Sequence, residues 1–223
     1  MCDNIEERLK KLTLSRNDKS IVDIQKYIRG FLLRKSIRKL NDGMTFTYLE
    51  KCIKNYKNTI IFETTFNDLL KSKKIRKTNF PSHISENLVK FAFYKKYRVM
   101  PNWDVKVGDL EIDIPFCRHI RLEVKGSIDL CNGPPTFGPC ESWDRIYFVD
   151  AKDILNDRYK IYEFKIKNTD LKWKNLKVNK NETYEDQCIQ GRRPRLTFNE
   201  ILNQIGAENY TILFDGLLRD LGN

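Results

Sequence analysis

Across 223 residues no apolar run approaches the length of a membrane span, no two of the six cysteines form a CxxC pair, and no repeat or low-complexity segment stands out. The first absence argues against a membrane-crossing helix, which needs about 20 consecutive apolar residues. The second removes the paired-ligand spacing of zinc ribbons and dithiol redox motifs. Cys2, Cys52, Cys117, Cys131, Cys140 and Cys188 therefore read as reduced thiols of an intracellular protein without a signal peptide. Cys117, Cys131 and Cys140 lie near His119, so a zinc site stays open there, although the usual spacing is missing. Histidine is scarce, with His83 and His119 alone. His83 reads as a surface or capping residue rather than a general base.

Acid is the scarcer charge. Lys and Arg number 41 against 30 Asp and Glu, giving a net charge of +11 and a pI near 9.3. The imbalance is local: residues 1–78 hold 19 basic and 9 acidic side chains, and the rest of the chain is nearly neutral. A basic flank beside a neutral core that carries acids suits a polyanionic partner. Hydrophobic content of 40% permits one sizeable α/β domain with an added element.

Two alternating stretches organise the core. In Gly108-Asp109-Leu110-Glu111-Ile112-Asp113-Ile114 the acids share one face and the aliphatics the other. In Arg121-Leu122-Glu123-Val124-Lys125-Gly126 the charged residues again face away from Leu122 and Val124. Period two predicts two strands, and the short connection between them predicts an antiparallel hairpin. A turn centred near Cys117 sets position 109 against 125 and 111 against 123; a slip of two residues sets Asp113 against Glu123. Either register projects two or three carboxylates and a lysine from one face. Such acids repel unless a cation intervenes, and oxygen-only ligands suit Mg²⁺. The plain alternative is a hairpin with a solvated charged face.

Gly-Asp-Leu followed by Glu-Val-Lys resembles the PD-(D/E)xK nuclease superfamily, with Gly108 where proline often stands. Gly133-Pro134-Pro135-Thr136-Phe137-Gly138-Pro139 and Gln190-Gly191-Arg192-Arg193-Pro194-Arg195 are similar to parts of type II restriction endonucleases. The resemblance covers roughly residues 80 to 205. It implies an α/β fold with a restriction-endonuclease-like central mixed sheet flanked by helices, and Mg²⁺-dependent, site-specific cleavage of double-stranded DNA by a homodimer. By the same resemblance Asp109, Glu123 and the Val124 carbonyl hold the metal, Asp113 remaining an alternative to Asp109. Lys125 activates the water, and Glu86, on the helix before the first catalytic strand, is a candidate second-metal or supporting acid. A favourable acid near a helix N-terminus is the other reading of Glu86.

Along the chain, helices are predicted over 3–14 and 21–40, and over 46–70 with Tyr48, Cys52, Ile53 and Tyr56 as an apolar stripe. The 21–40 segment holds Ile24-Gln25, Arg29-Gly30, Arg34 and Ile37. It resembles the IQ motif, which implies a calmodulin-like partner; a helix packed on the core and touching DNA phosphates competes with that reading. Residues 71–77 form a basic run, and 1–78 and 79–223 are the expected basic helical region and nuclease core. Ser82–Tyr97 is predicted helical with Ser82 as its cap. Strands are expected over 143–150, 160–166 and 211–214, a loop over 168–181 and a helix over 198–205. The Gly/Pro stretch makes a rigid loop, and Thr136 on it is a candidate DNA contact. Arg192, Arg193 and Arg195 suit guanine or phosphate, and Gln190 and Gln187 suit adenine. Rival functions are a structure-selective repair or junction-resolving nuclease, and a non-enzymatic DNA- or calmodulin-binding protein.

Overall fold

The computed structural model describes residues 46–69, 78–103, 109–113, 119–130 and 132–222. The helices predicted over 3–14 and 21–40, the basic run 71–77, Gly108, Cys117 and Cys131 lie outside the described residues. Tyr48–Asn223 forms one compact unit.

Among the described residues, six strands form one mixed sheet in chain order. They are β1 (Asn102–Trp103), β2 (Leu110–Ile112), β3 (Ile120–Ser127), β4 (Arg145–Asp150), β5 (Arg158–Phe164) and β6 (Tyr210–Leu217). Every neighbouring pair is antiparallel except β3 and β4. A parallel pair needs a long crossover, usually helical. Here residues 128–144 make it, and the prolines and glycines at 133–139 keep it out of helix.

Each strand face has its own cover. Helix α1 spans 46–69 and α2 spans Ser82–Tyr97; α2 lies across β3, β4 and β6. Gly126 is the point of closest approach, because a Cβ there would stand 2.5 Å from Ser85 Cβ and 2.8 Å from the Phe80 ring. The other face carries an aromatic core of Phe137, Trp143, Phe148, Phe164, Trp173 and Phe198. Short helices α3 (Leu171–Lys174), α4 (Tyr184–Ile189) and α5 (Phe198–Ile205) close that side, and α6 (Leu218–Leu221) ends the chain.

The α/β class, the hairpin, α2 and α5 match expectation. Four local readings change. The buried stripe of α1 is Leu49, Ile53 and Tyr56, with Tyr48 58% exposed. Pro81, not Ser82, precedes α2, so Ser82 is its first residue and no side chain caps it. Trp173 anchors a helical turn inside the expected 168–181 loop. Gln187 belongs to α4, which starts at a Thr183–Asp186 capping box that the sequence carries openly.

Candidate active site

Strand β3 carries the centre. Glu123 pairs with Ile146 and Lys125 with Phe148, so both side chains stand on the aromatic-core face. That face is not a solvated one: Glu123 is only 2% exposed. The Lys125 ammonium hydrogen-bonds the Glu123 carboxylate and lies 5.5 Å from the Phe137 ring centroid.

Asp109 reaches the same place from β2. The hairpin pairs Leu110 with Leu122 and Ile112 with Ile120. These partners are equidistant from position 116, one residue before the expected centre. The next step along the ladder therefore sets Asp109 against Glu123, and neither expected pairing, 109 with 125 or 113 with 123, forms. A change of one in the centre shifts every partner by two, which preserves the faces and changes the acid pair. Asp109 Oδ2 accepts from the Val124 N–H at 2.8 Å, and the Asp109 and Glu123 carboxyls are close enough to act on each other's charge. Asp113 sits at the far end of the hairpin, exposed, with His119 Nδ1 at 2.8 Å.

Two more acids face this pair. Glu86 is buried on α2, where Ser82, Asp109 and Lys125 all act on its carboxyl. Glu141, which the sequence reading did not single out, enters from the crossover with Oε2 3.7 Å from Lys125 Nζ. Gly138 leaves its carboxylate room, because a Cβ there would stand 2.5 Å from Glu141 Oε1. No strand alternation or helical spacing marks Glu141 in the sequence; only the fold of the loop delivers it.

Four carboxyls around one lysine leave an excess of negative charge in a partly dry place. Burial pushes Glu123 up to about 8; Lys125 opposes this, while Asp109 and Glu141 reinforce it. Burial and then Asp109 raise Glu86 to about 7. Burial also raises Asp109, against the Val124 N–H and Lys125. For Lys125 burial works downward, but Glu123, Glu141 and Asp109 outweigh it and hold the ammonium above the usual lysine range.

Among the described residues, no group of three or more His, Cys, Asp or Glu side chains is already arranged to hold a metal ion. The donor set nonetheless fits a hard divalent cation: oxygen ligands only, mutually repelling, with Glu141 Oε2 buried and without a hydrogen-bond partner among the described residues.

A cleft of about 790 Å³ opens over the centre, lined by Asp109, Val124 and Lys125 on one side and Gly133, Pro134 and Thr136 on the other. Thr136 forms a β-bridge with Arg195, and Phe137 N–H donates to Pro194 O at 3.1 Å. The two stretches singled out for DNA contact are thus neighbours. Gln190, Arg192, Arg193 and Arg195 are exposed, while Gln187 is buried and donates to Glu182. Gln187 is therefore withdrawn from the set of base-reading candidates.

Comparison with known proteins agrees on one group. The family described as Bsp6I restriction endonuclease matches residues 47–204. The type II restriction enzyme Bsp6I of Bacillus sp. (strain RFL6) is 32% identical over 131 residues, which cover 59% of this chain and 69% of that enzyme. No solved structure matches.

Proposed function

This chain belongs to the Bsp6I restriction endonuclease family, and we propose that it is a Mg²⁺-dependent endonuclease of the PD-(D/E)xK type, cutting double-stranded DNA at specific sequences. The observation that carries this reading is one cleft that holds Asp109 and Lys125, with Glu123 behind them and Thr136 bridged to Arg195 at its wall. Chemistry and recognition thus meet the same stretch of substrate.

Asp109, Glu123 and the Val124 carbonyl would hold the ion, with Glu86 as a further acid beside them. When bound, Mg²⁺ supplies charge neutralisation at the phosphate and a more acidic water. Lys125, with its ammonium anchored on Glu123, orients the water for in-line attack on phosphorus. The 3′ oxygen leaves, giving a 5′-phosphate and a 3′-hydroxyl. Arg195, Arg193, Arg192, Gln190 and Thr136 supply DNA contacts, and the basic residues of 1–78 add sequence-independent attraction. Cutting both strands of a palindromic site calls for a two-fold homodimer. A calmodulin-like partner rests on the IQ-like spacing alone, which lies outside both the described residues and the family match.

Unmethylated phage DNA incubated with the chain and Mg²⁺ tests the reading, with EDTA and Lys125→Ala as controls. Discrete bands that vanish in both controls are expected. A smear, or cutting confined to branched substrates, would replace sequence specificity with structure selectivity. Intact DNA under every condition would sink the nuclease assignment.

A further inference from the structure

The three arginines after α4 are not equivalent. Helix α4 ends with Gly191 at φ 70°, a backbone that favours glycine. Gly191 N–H donates to Cys188 O and Arg192 N–H to Gln187 O, both at 2.9 Å. These are the paired bonds of a helix-terminating Schellman turn. They fix the backbone up to Arg192.

Glu182 then fixes the side chains. It accepts from Asn179 Nδ2 at 2.7 Å, from Gln187 Nε2 at 3.0 Å and from Arg192 Nη1 at 2.6 Å. The bonds from Gln187, Asn179 and Arg192 hold its carboxyl down to about 2, so it stays ionised at any working pH. Arg192 Nη1 also donates to Gln190 Oε1 at 3.0 Å. The Arg192 charge is thus answered at the surface by Glu182, and its Nη1 is turned toward Glu182 and Gln190. Among the described residues, the exposed side chains of Arg193 and Arg195 make no such bonds. Arg195 is carried on the bridge to Thr136, at the wall of the cleft.

We infer that Glu182 and Arg192 are positioning residues for recognition, and that Arg193 and Arg195 are the guanidiniums that meet DNA. The pair sets the rigid frame from which Gln190, Arg193 and Arg195 project. This rests on the site-specific nuclease reading above, and it withdraws Arg192 from the direct contacts proposed there. An arginine already paired with a carboxylate displaces no counterion from DNA, whereas one that grips a phosphate does.

The salt dependence of duplex binding separates the two roles. Binding by the full chain is measured by fluorescence anisotropy with Ca²⁺ in place of Mg²⁺, at several salt concentrations. Cleavage rates at the cognate site and at single-mismatch sites are measured with Mg²⁺. Arg192→Ala and Glu182→Gln are expected to leave the slope of log affinity against log salt unchanged. Each is expected to reduce discrimination about tenfold, and the double variant to be no worse than either single one, as for residues acting through one pair. Arg193→Ala or Arg195→Ala is expected to lower the slope by about 0.9 for each phosphate no longer neutralised, or to abolish the site preference. Melting curves establish that each variant is folded.

The inference is overturned if Arg192→Ala lowers the slope as a phosphate-gripping arginine would, if Glu182→Gln tightens binding, or if neither variant changes discrimination. If the wild-type chain binds duplex but cuts it at no discrete sites, the specificity reading fails. The slope of Arg192→Ala still decides whether that arginine touches DNA. No duplex binding at all overturns both.

Discussion

Glu123 and Glu163 are both buried glutamates on one sheet, 2% and 0% exposed, and their surroundings are opposite. Glu163 on β5 pairs with Tyr147, which pairs with Val124, so its row lies one residue from Glu123 and on the other face. There Tyr97 Oη donates at 2.7 Å, Tyr147 Oη and Arg145 Nη1 at 3.0 Å, and Thr211 Oγ1 at 3.3 Å. Burial would push this carboxyl up, but bonds from Tyr97 and Tyr147, with Lys165 and Arg145 nearby, bring it below the usual range. Glu123 has one lysine and is crowded by Asp109 and Glu141, and it is pushed up. A carboxylate whose lone pairs are filled by the protein braces the fold. One left short of cations is what the proposed metal-binding role of Glu123 requires.

The largest effect that would test this contrast is on chemistry. Lys125→Ala, or Glu123→Gln, is expected to slow cleavage by about 10³-fold or more, the upper scale for a positioned catalytic group, with duplex binding retained. Plasmid cleavage and anisotropy measure the two. Next comes stability. Glu163→Ala strips the acceptor from buried Tyr147, half-buried Tyr97 and an arginine, and is expected to cost about 2–4 kcal/mol in urea unfolding. Glu123→Gln, which relieves repulsion, is expected to leave stability equal or higher. Equal losses from both substitutions would erase the distinction between the two glutamates.

The two acids also bend the pH dependence of stability in opposite directions. Glu163 has a depressed folded pKa, so its contribution is present above the unfolded carboxylate value and is lost as pH falls through the folded one. Glu123 and Glu86 have raised folded values, about 8 and about 7. Between the unfolded carboxylate value and these, the native state holds protons that the unfolded chain has shed, so stability falls as pH rises through that window. Metal-free protein is therefore expected to melt lower at pH 8 than at pH 6, and Glu86→Gln to flatten that slope. Added Mg²⁺ should raise the melting temperature more at pH 8, where the carboxyls are free to bind it. A melting temperature that rises toward pH 8 without metal would break this account.

Smaller effects sharpen the map. Gly126→Ala presses a methyl against Ser85 and Phe80 and is expected to cost about 1–3 kcal/mol by overpacking. Asp113→Ala, at the exposed His119 pair, is expected to change stability by about 0.5 kcal/mol or less and cleavage not at all. Loss of cleavage there would reopen the choice between Asp109 and Asp113.

Much of this was legible beforehand because it is local. Alternation in 109–113 and 121–125 predicts the hairpin, and helical spacing from Ile84 to Lys95 predicts α2. The Thr183–Asp186 box announces the start of α4 as openly as Thr197–Glu200 announces α5; only the second helix was predicted. The stripe of α1 was right at Ile53 and Tyr56 and wrong at Tyr48, because Tyr48 and Leu49 are adjacent large side chains that can each lead a helical stripe, and only the packing selects Leu49.

The sequence by itself determined the chemical inventory and the faces: which strand rows carry acids, which carry aliphatics, where proline and glycine forbid helix, and that the flank is basic. Those follow from residue type and a period of two or 3.6, which need no partner. The tertiary structure decided which acids meet. A hairpin centre one residue earlier brought Asp109 to Glu123. A crossover without helix delivered Glu141 to Lys125, and a helix end brought Arg192 to Glu182. Each of these contacts joins elements whose separation and register depend on packing elsewhere, which no one-dimensional pattern records.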